Sequence, residues 1–483
     1  MARGLPGTLI SCLNYLKDTQ YNGFMVTDSR QVNLSYVLFL CITAALGGLL
    51  FGFDIAIITG AGPFLESHFK LGHLSLGWAF SSLLFGCVIG SAFAGRLTDL
   101  YGRKRLLLGV AAFFALTSLG TGLAASFSIF IIARLLGGLA VGGASILSPM
   151  YVAEVSPPSM RGRMGALYQM SIVVGILVSY CLNYTLRDIG PWNWRWMFIS
   201  GVIPSIVFFL MLWRAPETPR YLFKIGRKQE ALELLTRIAN REAAKLEIAE
   251  MEQSLAMRQS SWRELRQPEL KRVLAVGFFL AILVHVSGIN TIIDYAPIIF
   301  RSAGFKLDVA LFSTFIVGVT NLVFTVVSFW TIDRYGRKPL YIVGSLGMTV
   351  ALGLLVVTVL MGRFQGLLVL GLILLFLAFF ASCIGPVFWT LVPEIFPNRI
   401  RGTAMIVPVL TQWVANAVVV LFFPFAFNAI GKAPTFAFLA FMSLLQAIFA
   451  WRFVPETKGK TLEEIEEYWN TVGRTEKRTV RQE

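Results

Sequence analysis

Charged side chains are scarce in this 483-residue chain, at 14% against about 25% in a soluble domain. With 56% hydrophobic residues and a mean hydropathy of +0.69, that deficit excludes a soluble globular domain and points to a polytopic membrane protein. Long polar stretches are lacking too. Only Pro216–Arg272 separates two extended apolar blocks, Val37–Arg214 and Val273–Val454. Acidic residues number 27 against 42 Lys and Arg, which leaves a net charge of +15. The basic residues sit at the edges of apolar segments and form no single stripe, so nucleic acid is not an expected partner. Cysteines are few and scattered. Cys12, Cys41, Cys87, Cys181 and Cys383 include no pair at metal-like or disulfide-like spacing, so no metal is expected and the thiols read as free. No nucleophile–base set appears, so no enzyme is expected and no cofactor is implied. The first residues lack a continuous apolar core of the secretory type, so no cleavable signal is expected.

Apolar stretches long enough to span about 30 Å of hydrocarbon, about 20 residues each, occur twelve times. They run over 36–61, 77–99, 106–126, 128–151, 164–186, 195–213, 273–300, 309–332, 340–361, 366–392, 403–427 and 434–453. Basic clusters fall between alternate segments, at Arg103–Arg105, Arg161 and Arg163, Arg334–Lys338, Arg399 and Arg401, and through the polar interval. The positive-inside rule places those loops, the interval and both termini in the cytoplasm, and a plasma or inner membrane is favoured.

The two blocks repeat each other. DLYGRK from Asp99 recurs as DRYGRK from Asp333, PMYVAEVSPPSMRG with Glu154 as TLVPEIFPNRIRG with Glu394, and PETPR from Pro216 as PETKG from Pro455. Three motifs in one order at nearly one spacing indicate two copies of a six-helix unit. The expected divisions are a lead (1–34), a six-helix bundle (35–214), an amphipathic helical linker (215–272), a second bundle (273–454) and a tail (455–483).

Those motifs, with RLLGGLAVGGASILSPMYVAEVSPPSMRGR and PETKGKTLEEIE, make residues 36 to 467 resemble the sugar porter family of the major facilitator superfamily. The resemblance implies an all-α membrane protein with twelve transmembrane helices in two six-helix repeats and a cytoplasmic helical linker, functional as a monomer in the lipid bilayer. It implies alternating access around a sugar held between the halves. Asp99, Arg103, Glu154, Arg163, Glu217 and Arg220 in one half, and Asp333, Arg337, Glu394, Arg401 and Glu456 in the other, fall at cytoplasmic helix ends, where ion pairs can close the halves against each other. Fixing topology alone is the alternative role for these charges.

Asp54, in GGLLFGFDIAIITG, lies well inside the first span, where a carboxylate is costly unless paired or protonated. Arg134, in SIFIIARLLGGLA of the fourth span, is its natural partner. By resemblance, an aspartate and an arginine at these positions form the coupling pair of proton-driven sugar porters, whereas facilitative carriers typically have asparagine at the first. Symport is therefore expected, with a facilitative uniporter as the alternative and a sugar sensor more distant. Burial favours the neutral carboxyl and a nearby cation the charged one, so moving Arg134 relative to Asp54 would tie protonation to conformation. A permanently ionised structural pair remains the other reading.

The resemblance assigns the sugar, a hexose, pentose or related polyol, to Gln169, Asn290, Asn321, Trp389, Gln412, Trp413 and Asn416. His285 joins them because it stands where the family has an amide. Val284, His285, Ile176 and Asp294 depart from the family pattern, which weakens the case for glucose because a hydroxyl that loses its partner costs about 1–3 kcal/mol. Asp294 either adds a titratable group or pairs with Arg301. His285 and Asp294 would lie on opposite faces of a regular helix, unless the GIN segment between them is unwound.

Overall fold

The computed structural model describes residues 32–256, 268–397, 400, 404–460, 464–465 and 469, and these are helical without a strand. The lead falls almost wholly outside them, and the tail in part. Among the described residues twelve helices are long and apolar enough to cross a membrane. The first six are Leu34–Phe69, His73–Tyr101, Arg103–Gly122, Phe127–Val155, Arg161–Leu186 and Asn193–Arg214. The second six are Leu270–Asp294, Leu307–Ile332, Arg337–Leu360, Gly366–Ile395, Ile406–Ile430 and Lys432–Phe453.

The first span outruns its expected end at residue 61. It continues through Pro63 to Phe69 and stops where Lys70 turns left-handed, at φ 51°. Gly60 and Gly62 lie against Asn183 and Phe80, so packing sustains the helix past its proline. The seventh span, expected as one helix over 273–300, is three pieces: Pro268–Val286, Ile289–Asp294 and Ala296–Ser302. Gly288, at φ +89°, makes the first break, a conformation that glycine adopts without strain. The tenth span carries a π-helical turn, Phe380–Ile384, directly before the Gly385–Ile395 segment that bears Trp389. Such turns re-aim the residues that follow.

Within the first half, the second and fourth spans pack backbone to backbone. A side chain on Gly86 or Gly138 would collide with the carbonyl of Leu135 or Leu83, which is the close approach that glycine permits between membrane helices. The halves meet mainly along two large contacts, the second span on the eleventh and the fifth on the eighth, with a smaller one of the first span on the seventh. Adding six to each number exchanges the two contacts, as the internal repeat requires.

The polar interval folds into Pro219–Lys224, Lys228–Ile238 and Arg241–Ala256. The middle helix buries Ala231, Leu234, Leu235 and Ile238, a spacing that lines one helical face. That face packs on protein instead of lying in the bilayer. The Ile238 carbonyl accepts from the Asn33 amide at 3.0 Å, and the Arg237 guanidinium covers the Tyr36 ring at 4.7 Å.

Candidate functional site

A cavity of about 1080 Å³ separates the halves. The first half contributes Phe51, Ser145, Pro149, Tyr168, Gln169 and Ile172, and the second Phe329, Ile332, Pro386, Trp389, Leu410 and Trp413. Its mouth, at Arg96, Asp99, Gly162 and Arg337, lies on the side of the two GRK motifs. On the opposite side an aromatic stack closes the molecule. Phe80 of the second span stacks on Tyr295 at 4.3 Å, and Tyr295 stacks on Phe423 at 5.1 Å. The Tyr295 hydroxyl donates to the Val420 carbonyl at 3.0 Å.

Asp54 and Arg134 are brought together. Nη1 of Arg134 stands 2.6 Å from Asp54 Oδ1 and 3.3 Å from the Asp54 carbonyl. Arg134 is 1% exposed and Asp54 8%. Among the described residues two guanidinium nitrogens, Nε and Nη2, have no hydrogen-bond partner, while the Phe198 ring faces the guanidinium at 5.4 Å.

Of the eight candidate sugar-binding residues, Gln169, Trp389 and Trp413 line the cavity. Gln412 borders a small recess beside Trp389 and Val409. His285 links Gln412 to Asn290, with Nε2 at 3.5 Å from Gln412 Oε1 and Nδ1 at 3.4 Å from Asn290 Nδ2. Trp413 also packs edge-on against Phe51 at 5.5 Å, so packing and cavity lining coincide in one side chain. Asn321 and Asn416 are buried, and neither they nor His285, Asn290 and Gln412 line the cavity. Asp294 is 4% exposed and lies outside the cavity. Among the described residues it forms no ion pair with Arg301, which is exposed, so of its two alternatives that pairing is absent. Sequence reasoning passed over Tyr168, a cavity residue whose buried hydroxyl has no hydrogen-bond partner among the described residues. The criterion that chose its neighbour Gln169, a polar group in an apolar run, would have found it. Tyr295, beside Asp294, was passed over as the closing residue because nothing local distinguishes it.

The motif charges pair within each half. Arg103 binds Glu154 at 2.8 Å and reaches Asp99 at 3.9 Å, and Lys224 of the interval binds Asp99 at 3.0 Å. In the second half Arg337 binds Glu394 at 3.1 Å, and Thr457 donates to the same carboxylate at 2.6 Å. Glu217 and Glu456 do something the spacing did not reveal. Glu217 accepts the amides of Arg103 and Lys104 at 3.0 and 3.1 Å, and Glu456 those of Arg337 and Lys338 at 3.1 Å each. Each satisfies the open amides at a helix start and favours its positive dipole end. Gly102 and Gly336, at φ +90° and +89°, leave room for these carboxylates. In this state the cavity mouth parts the helix ends that bear these charges, and the ion pairs described lie within each half. Arg163 and Arg220 are exposed; Arg401 and the side chain of Asp333 lie outside the described residues.

The model of the family described as sugar (and other) transporter matches residues 40–469. An arabinose-proton symporter of Bacillus subtilis (strain 168) is 37% identical over 92% of this chain and 97% of its own length. A D-xylose-proton symporter of Escherichia coli (strain K12) is 36% identical over 91% of this chain and 97% of its own. The inward-open structure of the xylose transporter XylE from E. coli superposes with a TM-score of 0.79 at 34% identity, covering 90% of this chain and all of that one.

Proposed function

The chain belongs to the sugar (and other) transporter family, and on that premise we propose that it is a proton-coupled symporter importing a monosaccharide or related polyol by alternating access. It is a transporter, not an enzyme. The observation that carries the proton coupling is the buried contact of Asp54 with Arg134 at 2.6 Å. The basic loops favour the cytoplasm for the cavity mouth and both chain termini, in a cell membrane, with one chain as the working unit. The conformation is then inward-facing, and the Phe80–Tyr295 stack is the closed outer gate.

In this state Arg134 neutralises the Asp54 carboxylate. Opening of the outer side, with Arg134 drawn away, leaves a buried carboxylate that favours a proton. Sugar bound between Gln169, Trp389, Gln412 and Asn290 then biases closure around itself. Return of Arg134 displaces the proton inward, and the sugar leaves through the mouth between the two GRK loops. The Arg103–Glu154 and Arg337–Glu394 pairs hold the inner helix ends of each half together as that half rocks.

The test is solute-driven proton uptake by proteoliposomes holding an internal pH dye, with xylose, arabinose, glucose, galactose, fucose and myo-inositol in turn. Acidification by at least one solute is expected, absent in Asp54→Asn while exchange of the labelled solute persists. If a labelled sugar equilibrates and the dye stays silent in the unaltered protein, it is a facilitative uniporter and the Asp54–Arg134 pair is structural.

A further inference from the structure

We infer that His285 is a positioning residue. Its ring holds the amides of Gln412 and Asn290 so that the site offers the sugar a donor from Gln412 and an acceptor from Asn290. This rests on the reading above that those two amides bind sugar, and adds how they are aimed.

A carboxamide carries an acceptor on one arm and a donor on the other, and its neighbours decide which arm faces a ligand. Asn290 Nδ2 can only donate, so the His285 Nδ1 it approaches at 3.4 Å must accept. Gln412 Oε1 can only accept, so the Nε2 at 3.5 Å must donate. One neutral ring, with its proton on Nε2, satisfies both contacts. An imidazolium has no acceptor for Asn290, and the other neutral form opposes like groups at both ends. Among the described residues neither Gln412 Nε2 nor Asn290 Oδ1 has a hydrogen-bond partner, so neither arm is claimed by another protein group. The ring itself has no polar atom left over.

The chain break makes this possible. In an unbroken helix residues five apart do not face each other. Here the first piece of the seventh span ends at Val286 and Gly288 turns left-handed. The Gly288 amide donates to the His285 carbonyl at 3.0 Å, which folds Asn290 back to the ring. Gln412 arrives from the eleventh span, so the relay also ties two helices of the second half together beside Trp389.

The first measurement needs no transport: nitrogen NMR of the full chain in nanodiscs with labelled histidine, the His285 signal being the one of three lost in His285→Gln. A protonated Nε2 and bare Nδ1, unchanged when sugar is added, are expected. A proton on Nδ1, a charged ring, or a switch on adding sugar overturns the assignment. The second compares KM and maximal rate for counterflow of D-xylose, or of L-arabinose if xylose is not moved. His285→Leu frees both amides and should raise KM about tenfold or more with the maximal rate within about twofold. His285→Gln, whose amide can accept from one neighbour and donate to the other, should keep KM within about threefold. An unchanged KM in His285→Leu, or equal loss in both variants, overturns the relay. Because the tautomer is read without proton flux, a uniporter with the Nε2-protonated ring would sink symport and leave the relay standing.

Discussion

At Arg134 one guanidinium nitrogen is committed and two are not. Nη1 serves both the carboxylate and the carbonyl of Asp54, while Nε and Nη2 are buried without a hydrogen-bond partner among the described residues. A structural lock would be expected to use the whole fork, because bidentate geometry is what distinguishes arginine from lysine. A cation held through a single nitrogen is easier to withdraw. Arg134→Lys keeps the charge on a thinner stem and should leave solute exchange measurable while lowering proton-driven accumulation at least about tenfold. Removing one partner of a buried ion pair outright costs about 3–5 kcal/mol, so Arg134→Ala should instead lower the melting temperature and yield. If Arg134→Lys accumulates sugar as well as the unaltered protein, the pair is not the coupling element. Trp389 differs from Trp413 at this scale. At 42% exposed in the cavity wall it is free to take a sugar face, whereas Trp413 is 5% exposed and already packed on Phe51.

The helix starts at Arg103 and Arg337 are equivalent elements built twice. Each follows a glycine with positive φ, and each has a glutamate from the segment after its own half's last span collecting the first amides. An N-terminal cap of this kind is worth about 0.5–2 kcal/mol. Glu217→Ala and Glu456→Ala should each lower the melting midpoint in detergent. The double variant should show nearly the sum, because distant sites add; a deficit beyond the sum would mean that the caps communicate between halves. The linker helix Arg241–Ala256 carries a pH dependence of its own. Burial pushes the Glu247 carboxyl up from its ordinary value, with Arg161 at the head of the fifth span pulling it down and Glu250 adding to the rise. A carboxyl raised on docking holds its proton more tightly docked than free. Its stabilisation is therefore full below the ordinary carboxylate range and is lost as pH rises through the raised value. Amide exchange in this helix, corrected for intrinsic rate, should be slower at about pH 5 than at about pH 7.5. Glu247→Gln should erase the difference; an unchanged difference would assign it to another group.

At the scale of the molecule, the ion pairs described for the GRK motifs lie inside each half, while the main contacts between halves are helix faces: second on eleventh and fifth on eighth. Halves braced internally and joined by smooth faces suit rigid-body rocking better than local unfolding. Tyr101 and Tyr335, each 54% exposed at equivalent inner ends, report that motion. With spin labels at Cys replacements of both, in a chain lacking its native cysteines, adding transported sugar at low pH should produce a second, shorter distance. A single distance under every condition would rule out rocking of these ends. The spans, the repeat and the Asp54–Arg134 partnership were legible before any tertiary information. Hydropathy is a property of one segment at a time, and a charge inside an apolar run declares its own need for a partner.

The sequence by itself determined twelve helices, two equivalent halves, which ends carry the paired charges and where the costly ionisable groups lie. All of these follow from transfer free energies that add along the chain. Only the tertiary structure decided that Glu217 and Glu456 cap helices and that Tyr295 closes against Phe80. It alone decided that Gln169 and Trp389 reach the cavity while Asn321 and Asn416 do not, and that His285 meets Asn290 across a broken helix. Those outcomes depend on the rotation of each helix about its axis and on where its hydrogen-bond ladder is interrupted. Both are set by packing against neighbours that are distant in the chain, and no local pattern records them.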